Sequence, residues 1–190
     1  SEALQSLIAK IGENIVIRRI LYLEANDDYS VFGSYIHNKI NDNIGRMACV
    51  VKLSSNNNNK EVIDLANKIA MHITASRPLS LDENSLDTNF IEKEKEIYTS
   101  QLKSSGKPDN IIEKIVEGKI KKYLSDVTLV NQNWVLEPSL TVLQVLNEFN
   151  NNNKTNLLIN DFKLLILGEG IEIEEKSFSE EVASQVNNTT

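Results

Sequence analysis

The chain has 190 residues, 41% of them apolar and 25% charged, the balance of a soluble globular protein with room for one real core. A net charge of −7 argues against a phosphate-binding surface as the main function. A single cysteine rules out an intrachain disulfide and fits a reducing compartment.

The chain opens on Ser1 rather than methionine and is expected to be a piece of a longer polypeptide. No signal peptide and no long apolar span occur in it, which suits a cytoplasmic protein with no membrane attachment. Leu4, Leu7, Ile8 and Ile11 recur at helical spacing, and Gly12-Glu13-Asn14 ends that helix. Ile15 to Leu23 is rich in β-branched residues and predicts a strand. After turn chemistry at Asn26-Asp27-Asp28, a second strand is expected over Val31 to His37 and a third over Gly45 to Leu53. Short connections favour antiparallel neighbours. Cys49 sits in the apolar run Met47 to Val51 and reads as a small buried hydrophobe.

Asn56 to Asn59 is a polar loop. An amphipathic helix follows, with Val62, Leu65, Ala66, Ile69 and Ile73 on one face, and Pro78 closes it. Asp87 is placed to cap the next helix. That helix carries Phe90, Ile91, Ile97, Tyr98 and Leu102 near helical spacing. A second one carries Ile111, Ile112, Ile115, Val116, Ile120, Tyr123 and Leu124. Ser105-Gly106-Lys107-Pro108 separates them: Gly106 tolerates positive φ at a helix end, and Pro108 suits a first turn. The pair is a helical hairpin whose apolar stripe must meet the body, a partner chain or its own other arm. Glu92 with Lys95 and Glu117 with Lys121 can pair on its wet face.

Beyond Pro138-Ser139, Thr141 and Gln144 have capping-box spacing ahead of a helix striped with Val142, Val145, Leu146 and Phe149. Asn150 to Asn153 should break that helix. Phe162 to Leu167 is almost continuously apolar and predicts a strand buried on both faces. Ser177 and Glu180 form another capping box, opening a short last helix through Phe178, Val182, Ala183 and Val186. The expected fold is α+β: a small, mainly antiparallel sheet packed with helices, plus an inserted antiparallel helical hairpin. Residues 1–77 and 133–172 would form the core, 78–132 the hairpin and 173–190 a terminal helix module.

No catalytic constellation, metal site or cofactor fingerprint is found. His37 and His72 lack a second ligand at metal spacing. Gly168-Glu169-Gly170 is too short for a phosphate loop. Glu172, Glu174 and Glu175 read as a solvated acidic turn, and Lys114, Lys119, Lys121 and Lys122 as a solvated helix face rather than an RNA contact. His72 reads as a packing or surface histidine, and His37 as a strand-end histidine.

Three ordered blocks carry a resemblance: Ser105-Gly106-Lys107-Pro108, Ile115-Val116-Glu117-Gly118-Lys119-Ile120-Lys121-Lys122-Tyr123, and Val127-Thr128-Leu129-Val130-Asn131-Gln132. Together with Gly33-Ser34-Tyr35-Ile36-His37, Ile69-Ala70-Met71-His72-Ile73 and Leu167-Gly168-Glu169-Gly170, they resemble bacterial translation elongation factor Ts over nearly the whole chain. The resemblance implies a nucleotide exchange factor, not an enzyme, for the GTPase elongation factor Tu. It implies docking through Tyr35 and His37 and through the apolar pair Val135 and Leu136. Phe178 and Val182 would touch the GTPase domain. The hairpin, with Ile97, Leu102, Ile112 and Val116, would support a homodimer. Trp134 stands where the family often has Phe and is expected to be an exposed or interfacial anchor. The family's Thr-Asp-Phe-Val-Ala block, which disturbs the magnesium and phosphate site of elongation factor Tu, does not occur in these residues. A fragment with docking parts and no exchange wedge is therefore expected, with a stand-alone oligomerisation module as the alternative.

Overall fold

The computed structural model describes residues 2–25, 29–104 and 106–171. Helix α1 spans Glu2–Ile11, strands β1 and β2 span Ser30–Asn41 and Ile44–Ser54, and helix α2 spans Lys60–Ser76. The hairpin helices are α3 (Thr88–Lys103) and α4 (Asp109–Val127). A 3-10 turn, Leu129–Asn131, leads to β3 (Asn133–Trp134) and β4 (Glu137–Thr141), then to α5 (Val142–Asn153) and β5 (Leu158–Ile166). The main sheet has the order β1-β2-β5, antiparallel throughout, and β3 and β4 form a separate two-stranded ribbon. The fold is thus α+β, with helices on a small antiparallel sheet.

Alternation along β2 decides where the core lies. Met47, Cys49, Val51 and Leu53 are buried on one face, and α2 packs on it with Val62, Leu65, Ala66, Ile69, Ala70 and Ile73. Each large aliphatic side chain removed from water there contributes about 1.5–3 kcal/mol. Cys49 lies in this layer, and its thiol is pushed up to about 12 by burial, so it stays protonated and inert. Asn59 caps α2 by accepting from the Val62 N–H at 3.0 Å. At the other end, Arg77 adopts φ 47° and its N–H donates to Ile73 O at 2.8 Å, ahead of Pro78.

The contact between α2 and β1 requires a glycine. A Cβ on Gly33 would stand 2.2 Å from the carbonyl carbon of Ala66. Only a bare backbone lets the helix sit this close.

Four expectations are corrected. Ile15 to Leu23 is not a strand: residues 14–25 run without a ladder. This segment is fastened through side chains instead: Arg18 Nη1 donates to Glu169 O at 2.8 Å, and Arg19 pairs with Glu169 at 3.0 Å. The Asn150 to Asn153 run does not break its helix but forms the last turn of α5. The Asn150 side chain accepts from Leu157 N and Thr155 Oγ1, both at 2.8 Å, and donates to Leu157 O at 3.0 Å, closing the return into β5. Next, β5 begins at Leu158, and it is not buried on both faces. It is an edge strand whose Phe162 and Leu164 pack on the core, while Leu167 beyond it is exposed. Finally, neither Glu92–Lys95 nor Glu117–Lys121 forms an ion pair, and Lys119 lies over the Tyr98 ring at 4.9 Å. The capping box at Thr141 and Gln144 forms as expected, at 3.2 and 2.7 Å. The helix expected around Phe178, with its Ser177 and Glu180 box, lies outside the described residues.

Gly33→Ala is expected to cost about 3 kcal/mol, the upper part of the range for overpacking, because the new methyl meets backbone rather than a movable side chain. Gly118 lies inside α4 with nothing within 4 Å of a built Cβ. Gly118→Ala should therefore stabilise by about 1 kcal/mol. Urea unfolding of the two variants measures both signs.

Candidate functional site

A groove of about 390 Å³ opens where β1, β2, α2 and the β3–β4 turn meet. Tyr35 and His37 come from β1, Met47 from β2, and Met71, Thr74 and Ala75 from α2. Arg77, at the end of α2, and Val135 with Leu136, between β3 and β4, complete the lining. Four of the residues singled out from the sequence, Tyr35, His37, Val135 and Leu136, are thus gathered in one place across about a hundred positions of chain. Tyr35 Oη lies 3.5 Å from His37 Nδ1. Arg77 Nη2 donates to Met47 Sδ at 3.8 Å, which fixes a cation at the rim. Val135 is 41% and Leu136 55% exposed, so the pair offers apolar surface to water. Met47 and Met71 give this wall flexible, polarizable side chains that fill irregular apolar surface.

Trp134 requires a correction. It is only 5% exposed, and its ring stacks on His72 with centroids 5.2 Å apart and planes tilted by 22°. It is a core residue that holds its neighbours up from beneath, not an anchor on the surface. The buried His72 explains how. The Val135 N–H donates to His72 Nδ1 at 3.2 Å, which makes Nδ1 the acceptor. Nε2 then carries the proton and donates to Gln132 Oε1 at 3.1 Å. The Gln132 amide donates in turn to the carbonyls of Asp126 at 2.8 Å and Ser76 at 3.3 Å. One chain of hydrogen bonds therefore joins the end of α4, the end of α2 and the exposed pair. Burial holds the His72 pKa below its ordinary value, opposed by the weaker effect of the Gln132 bond.

Sequence reasoning missed Met47, Met71 and Arg77 as groove residues, and missed the role of Gln132. The last residue of the Val127 to Gln132 block was the available signal for Gln132. The methionines carried none, because a methionine on a helix face reads as packing.

The hairpin is seamed within the chain. Ile112 and Val116 are buried, so they are closed to a second copy unless the hairpin opens. Ile97 is exposed and Leu102 half-buried. The base of the hairpin is tied to the body by Leu79 N–H to Val127 O at 2.8 Å and Leu129 N–H to Ser80 O at 2.9 Å. Phe178 and Val182 lie outside the described residues. Among the described residues, no cluster of three His, Cys, Asp or Glu side chains is placed to hold a metal. No helix among them is long and apolar enough to cross a membrane.

A family model described as "Elongation factor TS" matches residues 1–169. The chain belongs to the elongation factor Ts family. It is 42% identical over 178 residues to elongation factor Ts of Rickettsia felis, covering 93% of this chain and 57% of that protein. It is 43% identical to elongation factor Ts of Rickettsia peacockii over the same shares. The chain thus spans 57% of the length of these curated relatives.

The buried imidazole gives the chain a pH signature. Its folded pKa lies below the unfolded value near 6.5, so its contribution to stability is complete above pH 6.5. Below that, the unfolded chain takes the proton first, and stability falls towards the folded pKa by up to about 1.4 kcal/mol per pH unit. An NMR titration should put the His72 midpoint below 6.5. Denaturant melts across the same window should show the slope, and His72→Phe should flatten it.

Proposed function

We propose that this chain binds the GTPase elongation factor Tu through the groove of Tyr35, His37, Val135 and Leu136, as part of nucleotide exchange in translation elongation. The observation that carries the reading is the convergence of those four residues, separated in sequence, on one apolar-rimmed groove. Val135 and Leu136 are already about half covered, so burying the remainder is worth about 1 kcal/mol for each side chain. Such a role belongs in the cytoplasm and involves no bond chemistry by the chain itself. A factor that binds the nucleotide-free GTPase more tightly than its GDP complex weakens GDP by the same factor. Each tenfold of that coupling requires about 1.4 kcal/mol of differential contact.

These 190 residues contain no Thr-Asp-Phe-Val-Ala block, so their contribution is docking rather than disturbance of the nucleotide site. Self-association through the hairpin would draw on its exposed apolar residues Phe90, Ile97 and Ile111 with the half-buried Leu102, rather than on the buried Ile112 and Val116.

The 190-residue chain is expected to form a complex with nucleotide-free elongation factor Tu. Val135→Ala with Leu136→Ala should weaken its Kd at least tenfold, as expected for a pair at the centre of an interface. Stopped-flow release of a fluorescent GDP analogue should be slower with this chain than with a full-length relative. Absence of any complex, by calorimetry at micromolar concentrations, would remove the reading.

A further inference from the structure

Beyond His37, the β1–β2 hairpin is bent by three separate features. Asn38 has φ 50°, while the other two non-glycine residues with positive φ among the described residues, Arg77 and Lys154, are ordinary helix ends. Register shifts between Lys39 and Asn41, which leaves Ile40 as the extra residue of a bulge. Gly45 is obligatory at the crossing, because a Cβ there would stand 2.4 Å from Ile36 Cγ2 and 2.6 Å from His37 O. Asparagine is one of the few non-glycine residues that adopt the left-handed region readily, so Asn38 is suited to make this bend. The bend leaves apolar side chains in water: Ile40 is 80% and Ile44 53% exposed at the tip. Paired bulges and left-handed residues of this kind re-aim a strand end, and they gather at binding sites.

We propose that this tip is a second docking element, and that Ile40 and Ile44 are covered by the same protein that occupies the groove. The inference rests on the reading of the groove given above. Continuity supports that occupant. His37 lies on the groove rim and Ile40 three residues further along the same strand, so at most about 11 Å of backbone separates them. A protein seated on His37 and Leu136 extends over that distance, since a standard interface takes about 800 Å² from each partner. The tip's charges, Lys39 and Asp42, cancel, so it offers no attraction to an anionic membrane. The two isoleucines lie beyond the elements that α2 covers, and they flank a polar turn, Asn41-Asp42-Asn43, that keeps the free tip wet.

The test is the affinity of the 190-residue chain for purified nucleotide-free elongation factor Tu. Ile40→Ser with Ile44→Ser should raise Kd about tenfold, mainly through faster dissociation, with an unchanged melting temperature because both side chains are already exposed. Asn38→Val, which disfavours the left-handed backbone, should weaken binding, and Asn38→Gly, which permits it, should not. Wild-type affinity in the double-serine variant would overturn the proposal while leaving the groove reading intact. So would loss of self-association, or of vesicle binding, in that variant without loss of affinity for the GTPase. A wild-type chain that forms no complex would instead remove the groove reading, and this inference with it.

Discussion

A neutral imidazole and one amide, buried side by side, hold the β3–β4 wall of the groove in place. His72 accepts from the backbone of Val135 and donates to Gln132, whose own amide group is spent on carbonyls at the ends of α2 and α4. Every donor and acceptor in that set has a partner, and no buried side-chain nitrogen or oxygen among the described residues is left without one. In a low-dielectric interior such a network is cooperative when complete and costly when any member is lost. The position of Val135 and Leu136 therefore depends on groups that no partner would touch. Trp134, stacked beneath on His72, excludes the water that would otherwise compete for those bonds.

The same residues connect the hairpin to the groove. Gln132 reaches Asp126 O near the end of α4, and the backbone of Leu79 to Leu81 pairs with Val127 to Val130. A change in the angle of the hairpin would act on these backbone bonds and on the Gln132 amide together. The hairpin is thus joined to Val135 and Leu136 by hydrogen bonds with defined directions.

Elements with a strong local signal were legible in the sequence. The α2 stripe, both hairpin helices, the Thr141–Gln144 box and the Asp87 cap follow from spacing and capping chemistry, which are local. What was not legible depended on partners distant in sequence. Ile15 to Leu23 has strand composition, but composition does not supply an edge to pair with, and arginine contacts to Glu169 and Gly170 hold it instead. Phe162 to Leu167 has the apolar run of a central strand, yet three strands leave β5 at the margin. Asn150 looked like a breaker because its side chain competes with backbone, and it does so one turn later, against Leu157. The groove was legible in part. Tyr35, His37, Val135 and Leu136 were named from resemblance, while Met71 and Arg77 come to the same wall only because Gly33 lets α2 lie against β1.

A surface that acts by binding alone must be stiff where it meets its partner. Energy spent on ordering a loose loop at the moment of contact is lost from the difference between the two nucleotide states, and that difference is all an exchange factor has to use. The groove proposed above as the docking surface meets this constraint. Tyr35 and His37 stand on a strand paired along its length, Met71 on a capped helix, and Val135 on a ribbon bonded to a buried ring. Stiffness is supplied by close packing at Gly33 and by the satisfied network at His72 rather than by surface ion pairs. Only two ion pairs occur among the described residues, both exposed and each worth less than about 1 kcal/mol. Salt should accordingly loosen the Arg19–Glu169 contact well before it loosens the groove, which keeps its shape across ionic conditions that would disorder a charge-built surface.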